Sequence, residues 1–171
     1  TLVWQFPFHY LVSLLIFIAA SITDLLDGKI ARSRGLVTDF GKFLDPLADK
    51  MLTTAAFLGF IALDIGYASV WVAFIVLFRE FAISSVRLIA STAGGKVVAA
   101  NIWGKLKTVA QMSSIVFILA SQYFMTLFNV PVANQIIGII TNVVLWASAV
   151  LTVISGMTYV ADNKQFIDPK K

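Results

Sequence analysis

Four aspartates, Asp24, Asp27, Asp45 and Asp49, are spaced as helical neighbours in a chain that is otherwise strongly apolar. Asp24 and Asp27 are related by i, i+3 and Asp27 and Ala31 by i, i+4, so they share one helix face. Gly41, Asp45 and Asp49 step by four and form one stripe on the following helix. An aspartate at membrane depth costs about 2.5–3.5 kcal/mol on insertion scales, so such a group marks a polar site that handles cations, phosphates or protons. Four ionised carboxylates share a small site only if cations neutralise them or some remain protonated. Oxygen-only donors favour hard ions, Mg²⁺ or Mn²⁺, and four acids suffice for one ion or for a bridged pair. The chain has no Cys, which excludes disulfides, thiolate metal sites and a Cys nucleophile. Gly28, Ala31 and Gly41 beside the acids leave room for a bulky phosphorylated group to approach the backbone. Arg32 adds a guanidinium fork for phosphate.

The elements that must carry these residues are membrane helices. Of the 171 residues 59% are hydrophobic and 13% charged, against about 45–50% and 25% in soluble domains. This composition specifies an all-α, polytopic integral-membrane bundle, a single domain over residues 1–171. Five apolar stretches, at 6–22, 44–63, 68–90, 108–128 and 132–160, are each long enough to approach a span. Connections fall at 29–40, 64–67, 91–107 and 129–131. Eleven of the 13 Lys and Arg lie in or around the first connection, in the third or in the tail, leaving only Arg79 and Arg87 within a span, whereas the second and fourth connections carry none. The positive-inside rule therefore puts connections one and three, the C-terminus and the acid site on the cytoplasmic side. Five spans with a cytoplasmic tail would leave Thr1 outside, and the chain starts without Met or a signal peptide. The expectation is that one more span precedes it, six in the intact protein.

Other roles for the same residues stay open at this level. Asp45-Pro46 also reads as a helix start, with an N-cap followed by Pro at the first helical position. Asp24 and Asp27 could pair with Lys29, Arg32 or Lys50, and Gly28 and Gly41 could serve helix packing alone. His9 lies far along the first helix from Asp24, which argues against catalysis, and Trp4, Trp71 and Trp103 suit an interfacial belt.

The run Asp24-x-x-Asp27-Gly28-x-x-Ala31-Arg32, eight residues, then Gly41-x-x-x-Asp45-x-x-x-Asp49 resembles the signature of the CDP-alcohol phosphotransferase family at every specified position. The resemblance implies a bundle of six membrane helices, a homodimer, and an active site open to the cytoplasm, and the compact size favours a bacterial membrane. It implies that Asp24, Asp27 and Asp45 bind divalent metal together with the CDP diphosphate. Asp49 would ligate or adjoin the metal and act as general base, and Gly28, Ala31, Arg32 and Gly41 would cradle CDP. The implied chemistry is attack of an acceptor hydroxyl on the β-phosphorus of CDP-diacylglycerol, with CMP leaving.

A second group of polar residues bears on the acceptor. In the third span Glu80, Ser84 and Arg87 fall on one face, with Arg79 on a nearby one. Two arginines in an apolar helix suggest an anion receptor, since Arg presents a bidentate fork to phosphate. The alternative is an internal Glu80–Arg87 pair, with Arg79 binding a neighbouring helix. Lys105 and Lys107 open the fourth span, either as anion ligands or as positive-inside anchors. The stretch from Arg79 to Arg87, with Gly104-Lys105-x-Lys107-Thr108-x-x-Gln111, is similar to family members that accept glycerol 3-phosphate. The acceptor phosphate would then meet Arg79, Ser84, Arg87 and Lys105. Partners follow as CDP-diacylglycerol, glycerol 3-phosphate and membrane lipids, with no nucleic acid.

Competing readings are a related enzyme accepting inositol phosphate or serine, a UbiA-type prenyltransferase, and a cation transporter. A prenyltransferase of that type is longer and carries two separated Asp motifs. A transporter predicts broken helices and pseudo-repeats, which the sequence lacks.

Overall fold

In lipid every backbone N–H and C=O must be satisfied within the protein, and these apolar stretches do so as helices. A computed structural model describes residues 2, 6, 8–33, 39–67, 69–92, 102–128 and 131–162, the side chains at 28, 31–33, 39–49, 87–92 and 133 excepted. Five helices follow one another: α1 (His9–Ser33), α2 (Asp39–Ala62), α3 (Ser69–Thr92), α4 (Ile102–Phe128) and α5 (Pro131–Asp162). Among the described residues there is no strand. Four helices are long and apolar enough to cross a membrane, and α2 carries a shorter apolar stretch over Lys50–Ala62 among its described residues. The protein is an integral membrane protein. At 32 residues α5 extends about 48 Å, more than a hydrocarbon core of about 30 Å, so it tilts or projects.

The helices outrun the apolar stretches at the ends that carry charge. α1 continues to Ser33 instead of ending with hydropathy at 22, α2 starts at Asp39 instead of 44, and α4 starts at Ile102 instead of 108. Hydropathy marks the part of a helix that lipid covers, whereas backbone hydrogen bonding continues through polar turns. One consequence corrects the helix-start reading of Asp45-Pro46: α2 begins before this pair, at Asp39, so Asp45 is not an N-cap.

Phe57 and Phe60 of α2, Val72 and Val76 of α3, Ile115, Ile118 and Leu119 of α4, and Leu145 and Ala149 of α5 form the core. α5 packs along both α4 and α3, α1 lies on α4, and α2 lies on α3. Among the described residues α1 and α2 meet only sparsely. Beside Leu145 and Tyr159, the buried face of α5 carries small residues, Thr141, Ser148, Ala149, Thr152 and Ser155, which let its neighbours approach closely. Large side chains such as Leu15, Trp71, Phe74, Phe78 and Val143 point outward, the arrangement expected where lipid is the solvent.

The connection between α2 and α3 is pinned to α5. Asp64 and Gly66 take positive φ, 53° and 81°, and a Cβ at position 66 would run into Leu145. The Tyr67 amide donates to Asn142 Oδ1, and Trp146 Nε1 donates to the Tyr67 carbonyl at 3.3 Å.

Candidate active site

The acid signature is split between α1 and α2. Asp24 and Asp27 lie about one turn apart on α1, and both are exposed. Asp45 and Asp49 lie on α2, but their side chains are outside the described residues, as are those of Ala31, Arg32 and Arg87. Gly28 and Gly41 are carried by α1 and α2 respectively. The convergence of all four acids therefore falls outside the described residues. Among the described residues no three His, Cys, Asp or Glu side chains gather into a metal site. The two described members still fit a hard divalent ion: a pair of accessible carboxylates a turn apart, offering only oxygen.

The described structure links the acid-bearing part of α2 to α3. Lys50, the residue after Asp49, donates to Ser84 Oγ on α3, and Thr54 Oγ1 caps the Lys50 carbonyl at 2.6 Å. One turn before Ser84 on α3 is Glu80, which pairs with Lys107 Nζ of α4. Arg79 Nη1 lies 3.7 Å from Glu80 Oε1, and Arg79 Nη2 donates to Ser155 Oγ of α5 at 2.8 Å. The stem of Arg79 rests on Gly156, where a Cβ would lie 3.1 Å from Arg79 Cγ. Deeper in the bundle Gln111 Nε2 of α4 donates to Thr152 Oγ1 at 3.0 Å, and Thr152 Oγ1 donates to the Ser148 carbonyl at 2.7 Å.

These contacts join α3, α4 and α5 through a buried polar row. The side chains of Arg79, Glu80 and Lys107 are only 12%, 16% and 7% exposed, so three full charges are largely withdrawn from solvent. Removing a charge from water is tolerated when it is paired and hydrogen-bonded, as each of these is. The trio carries one more positive than negative charge, which suits it to an incoming anion.

Several expectations meet the structure differently. Glu80 engages Lys107 and Arg79, while Arg87 lies outside the described side chains, so an internal Glu80–Arg87 pair is not among the contacts described. Arg79 does reach a neighbouring helix, at Ser155. Lys105 is exposed, and it is Lys107 that points inward. Helical spacing carries the signal: Lys107, Gln111, Ser114, Ile118 and Ser121 are all buried on α4, and Lys105 is two residues off that stripe. His9 begins α1, about 22 Å along the helix from Asp24, and its Nδ1 contacts the Phe6 carbonyl at 3.0 Å.

Between α1 and α2, where the two helices meet sparsely, lies an open apolar cleft of about 650 Å³. Ile16 and Phe17 of α1, Leu52, Ala56 and Gly59 of α2, and Leu119 of α4 line it. It runs along the same two helices that carry the acids.

Comparison with known proteins places the chain among relatives of one family. The family model described as CDP-alcohol phosphatidyltransferase matches residues 1–154. A CDP-diacylglycerol–glycerol-3-phosphate 3-phosphatidyltransferase of Bacillus subtilis is 40% identical over 157 residues, 92% of this chain and 76% of the relative. A protein of the same name from Rickettsia bellii is 31% identical over 161 residues, 94% of this chain and 83% of the relative. A probable phosphatidylglycerophosphate synthase of Mycobacterium tuberculosis H37Rv is 38% identical over 146 residues, 85% of this chain and 63% of the relative.

Proposed function

Because the chain belongs to the CDP-alcohol phosphatidyltransferase family, we propose that it transfers the phosphatidyl group of CDP-diacylglycerol to sn-glycerol 3-phosphate, giving phosphatidylglycerol phosphate and CMP. The observation that carries the choice of acceptor is the Lys50–Ser84 contact. It sets the acid-bearing segment of α2 beside the face of α3 from which the Arg79–Glu80–Lys107 cluster is built. A phosphate-bearing alcohol would then find cations next to the diphosphate site. The names of the relatives from Bacillus subtilis and Rickettsia bellii point the same way.

In this reading Asp24, Asp27 and Asp45, with Asp49, would hold Mg²⁺ or Mn²⁺, as one or two ions, which would supply positive charge against that of the diphosphate. Gly28, Ala31 and Gly41 admit the diphosphate close to the helix backbones, and Arg32 forks onto it. The apolar cleft between α1 and α2 suits the lipid portion of the donor. Arg79, Ser84 and Arg87 orient the acceptor phosphate. Asp49 takes the proton from the acceptor hydroxyl as its oxygen bonds to the β-phosphorus. The bond from that phosphorus to the bridging oxygen breaks, and the electron pair leaves with CMP. The active site opens to the cytoplasm, an orientation the Lys and Arg placement supports, in a bacterial membrane, and the working unit is a homodimer.

The test is CMP release by the purified protein with CDP-diacylglycerol and Mg²⁺ or Mn²⁺, offering glycerol 3-phosphate, inositol phosphate and serine separately. Release with glycerol 3-phosphate alone supports the proposal. Release with another acceptor instead overturns the acceptor assignment, and none with any acceptor overturns the transferase reading.

A further inference from the structure

Glu80 belongs to none of the groups assigned so far, yet it is the only anion in the buried polar row described above. It lies on α3, beside one cation of its own helix and against another from α4. α3 and α4 each pack along α5 more than on one another, so the Glu80–Lys107 pair is a direct cross-link between helices that otherwise meet through a third. Lys107 is a flexible four-carbon stem ending in a point charge, and a stem of that kind needs a fixed partner to hold one position. Arg79 is held at its other end by Ser155 and by the flat surface over Gly156.

The geometry points to Glu80 as a positioning residue for the acceptor, setting the reach of Lys107 and Arg79 toward the acceptor phosphate. This rests on the proposed transfer to a phosphorylated alcohol. Without an acceptor, Glu80 offsets the repulsion between two like charges in a poorly solvated space, where it is only weakly screened. When the phosphate arrives, the cations already stand inward and on separate helices, so neither has to be drawn from the lipid interface. Lys107 thereby joins the acceptor side of the site, acting from the inward face of α4 that Lys105 does not share. Glu80 touches neither the reacting phosphorus nor the leaving group in this scheme, so its loss acts on acceptor binding first.

The experiment measures KM for glycerol 3-phosphate and for CDP-diacylglycerol in the full chain and in Glu80→Gln, Glu80→Asp, Lys107→Gln and the Glu80→Gln/Lys107→Gln double variant. Glu80→Gln is expected to raise the acceptor KM about tenfold while the CDP-diacylglycerol KM stays within about twofold, and Glu80→Asp to recover part of the loss. The double variant is expected to fall no further than Lys107→Gln alone, the non-additivity of two groups acting as one. Equal rises in both KM values, or a fall in kcat with both KM values unchanged, would overturn the positioning role. Additive losses in the double variant would do the same. If Glu80→Gln does not fold, Glu80→Asp decides: a selective rise in acceptor KM supports the role and a non-selective one rejects it. An unsubstituted protein that releases no CMP with glycerol 3-phosphate refutes the function itself, whereas a normal one with unselective Glu80 variants refutes only the positioning.

Discussion

The two halves of the candidate site are built on opposite plans. On the α1 side, Asp24 and Asp27 are exposed, contact with α2 is sparse, and an open apolar cleft runs between the helices. On the α3–α4–α5 side, small residues bring the helices together and the polar groups are buried, with Arg79, Glu80 and Gln111 each tied to a partner on another helix. The difference matches the two ligands proposed. A donor with two acyl chains enters from lipid and needs an open flank, whereas a small, water-soluble acceptor needs a preset cluster of charge that distinguishes it from other alcohols. Groups fixed before the ligand arrives need no further ordering when it binds.

Breaking the open half should have the largest effect. Asp49→Asn removes the base while keeping the shape, so kcat is expected to fall by about 10²–10⁴ while much of the affinity for CDP-diacylglycerol remains. Single-turnover CMP release alongside equilibrium binding of the CDP lipid checks both parts; near-normal turnover would remove Asp49 from that role. Chelation with EDTA is expected to stop CMP release, and added Mg²⁺ or Mn²⁺ to restore it. Release that persists at full rate in EDTA would mean the acids serve another purpose.

Variants of the closed half should be smaller in effect and selective for the acceptor. Arg79→Ala leaves Glu80 and Ser155 without that partner and is expected to raise the acceptor KM about tenfold, with the CDP-diacylglycerol KM little changed. Gly156→Ala places a Cβ 3.1 Å from Arg79 Cγ and forces the stem to shift. The expected result is a loss of about 1 kcal/mol in stability, read by thermal unfolding in detergent, with a modest rise in acceptor KM. Ser84→Ala removes one neutral hydroxyl, which accepts from Lys50 and in the proposed site meets the acceptor phosphate, and should raise the acceptor KM least.

The two halves were also unequally legible in the sequence. The acids at 24, 27, 45 and 49 stand out because carboxylates at i, i+3 and i, i+4 are conspicuous in apolar helices, and their types and spacing state their chemistry. Helix existence was readable from the apolar stretches, but their ends were not: α1 passes through Asp24 and Asp27 to Ser33, where hydropathy gives no sign that a helix continues. The closed half was readable only in part. Arg79 and Glu80 are visible as charges in a span, but pairing across helices depends on which faces meet, and no local pattern specifies that Glu80 takes Lys107. The choice between Lys105 and Lys107 was available from the four-residue step to Gln111, since a residue on the Gln111 face must point inward. Thr152 and Ser155 gave no sequence signal, because small hydroxyl residues in a membrane helix usually serve packing.

The division of labour between the halves is tested most directly by measuring both KM values in Asp27→Asn and Arg79→Ala under identical conditions. That division has Asp27→Asn weaken CDP-diacylglycerol binding along with turnover, while Arg79→Ala raises the KM for glycerol 3-phosphate and leaves that for CDP-diacylglycerol nearly unchanged. Matching shifts of the same substrate's KM in the two variants would contradict it.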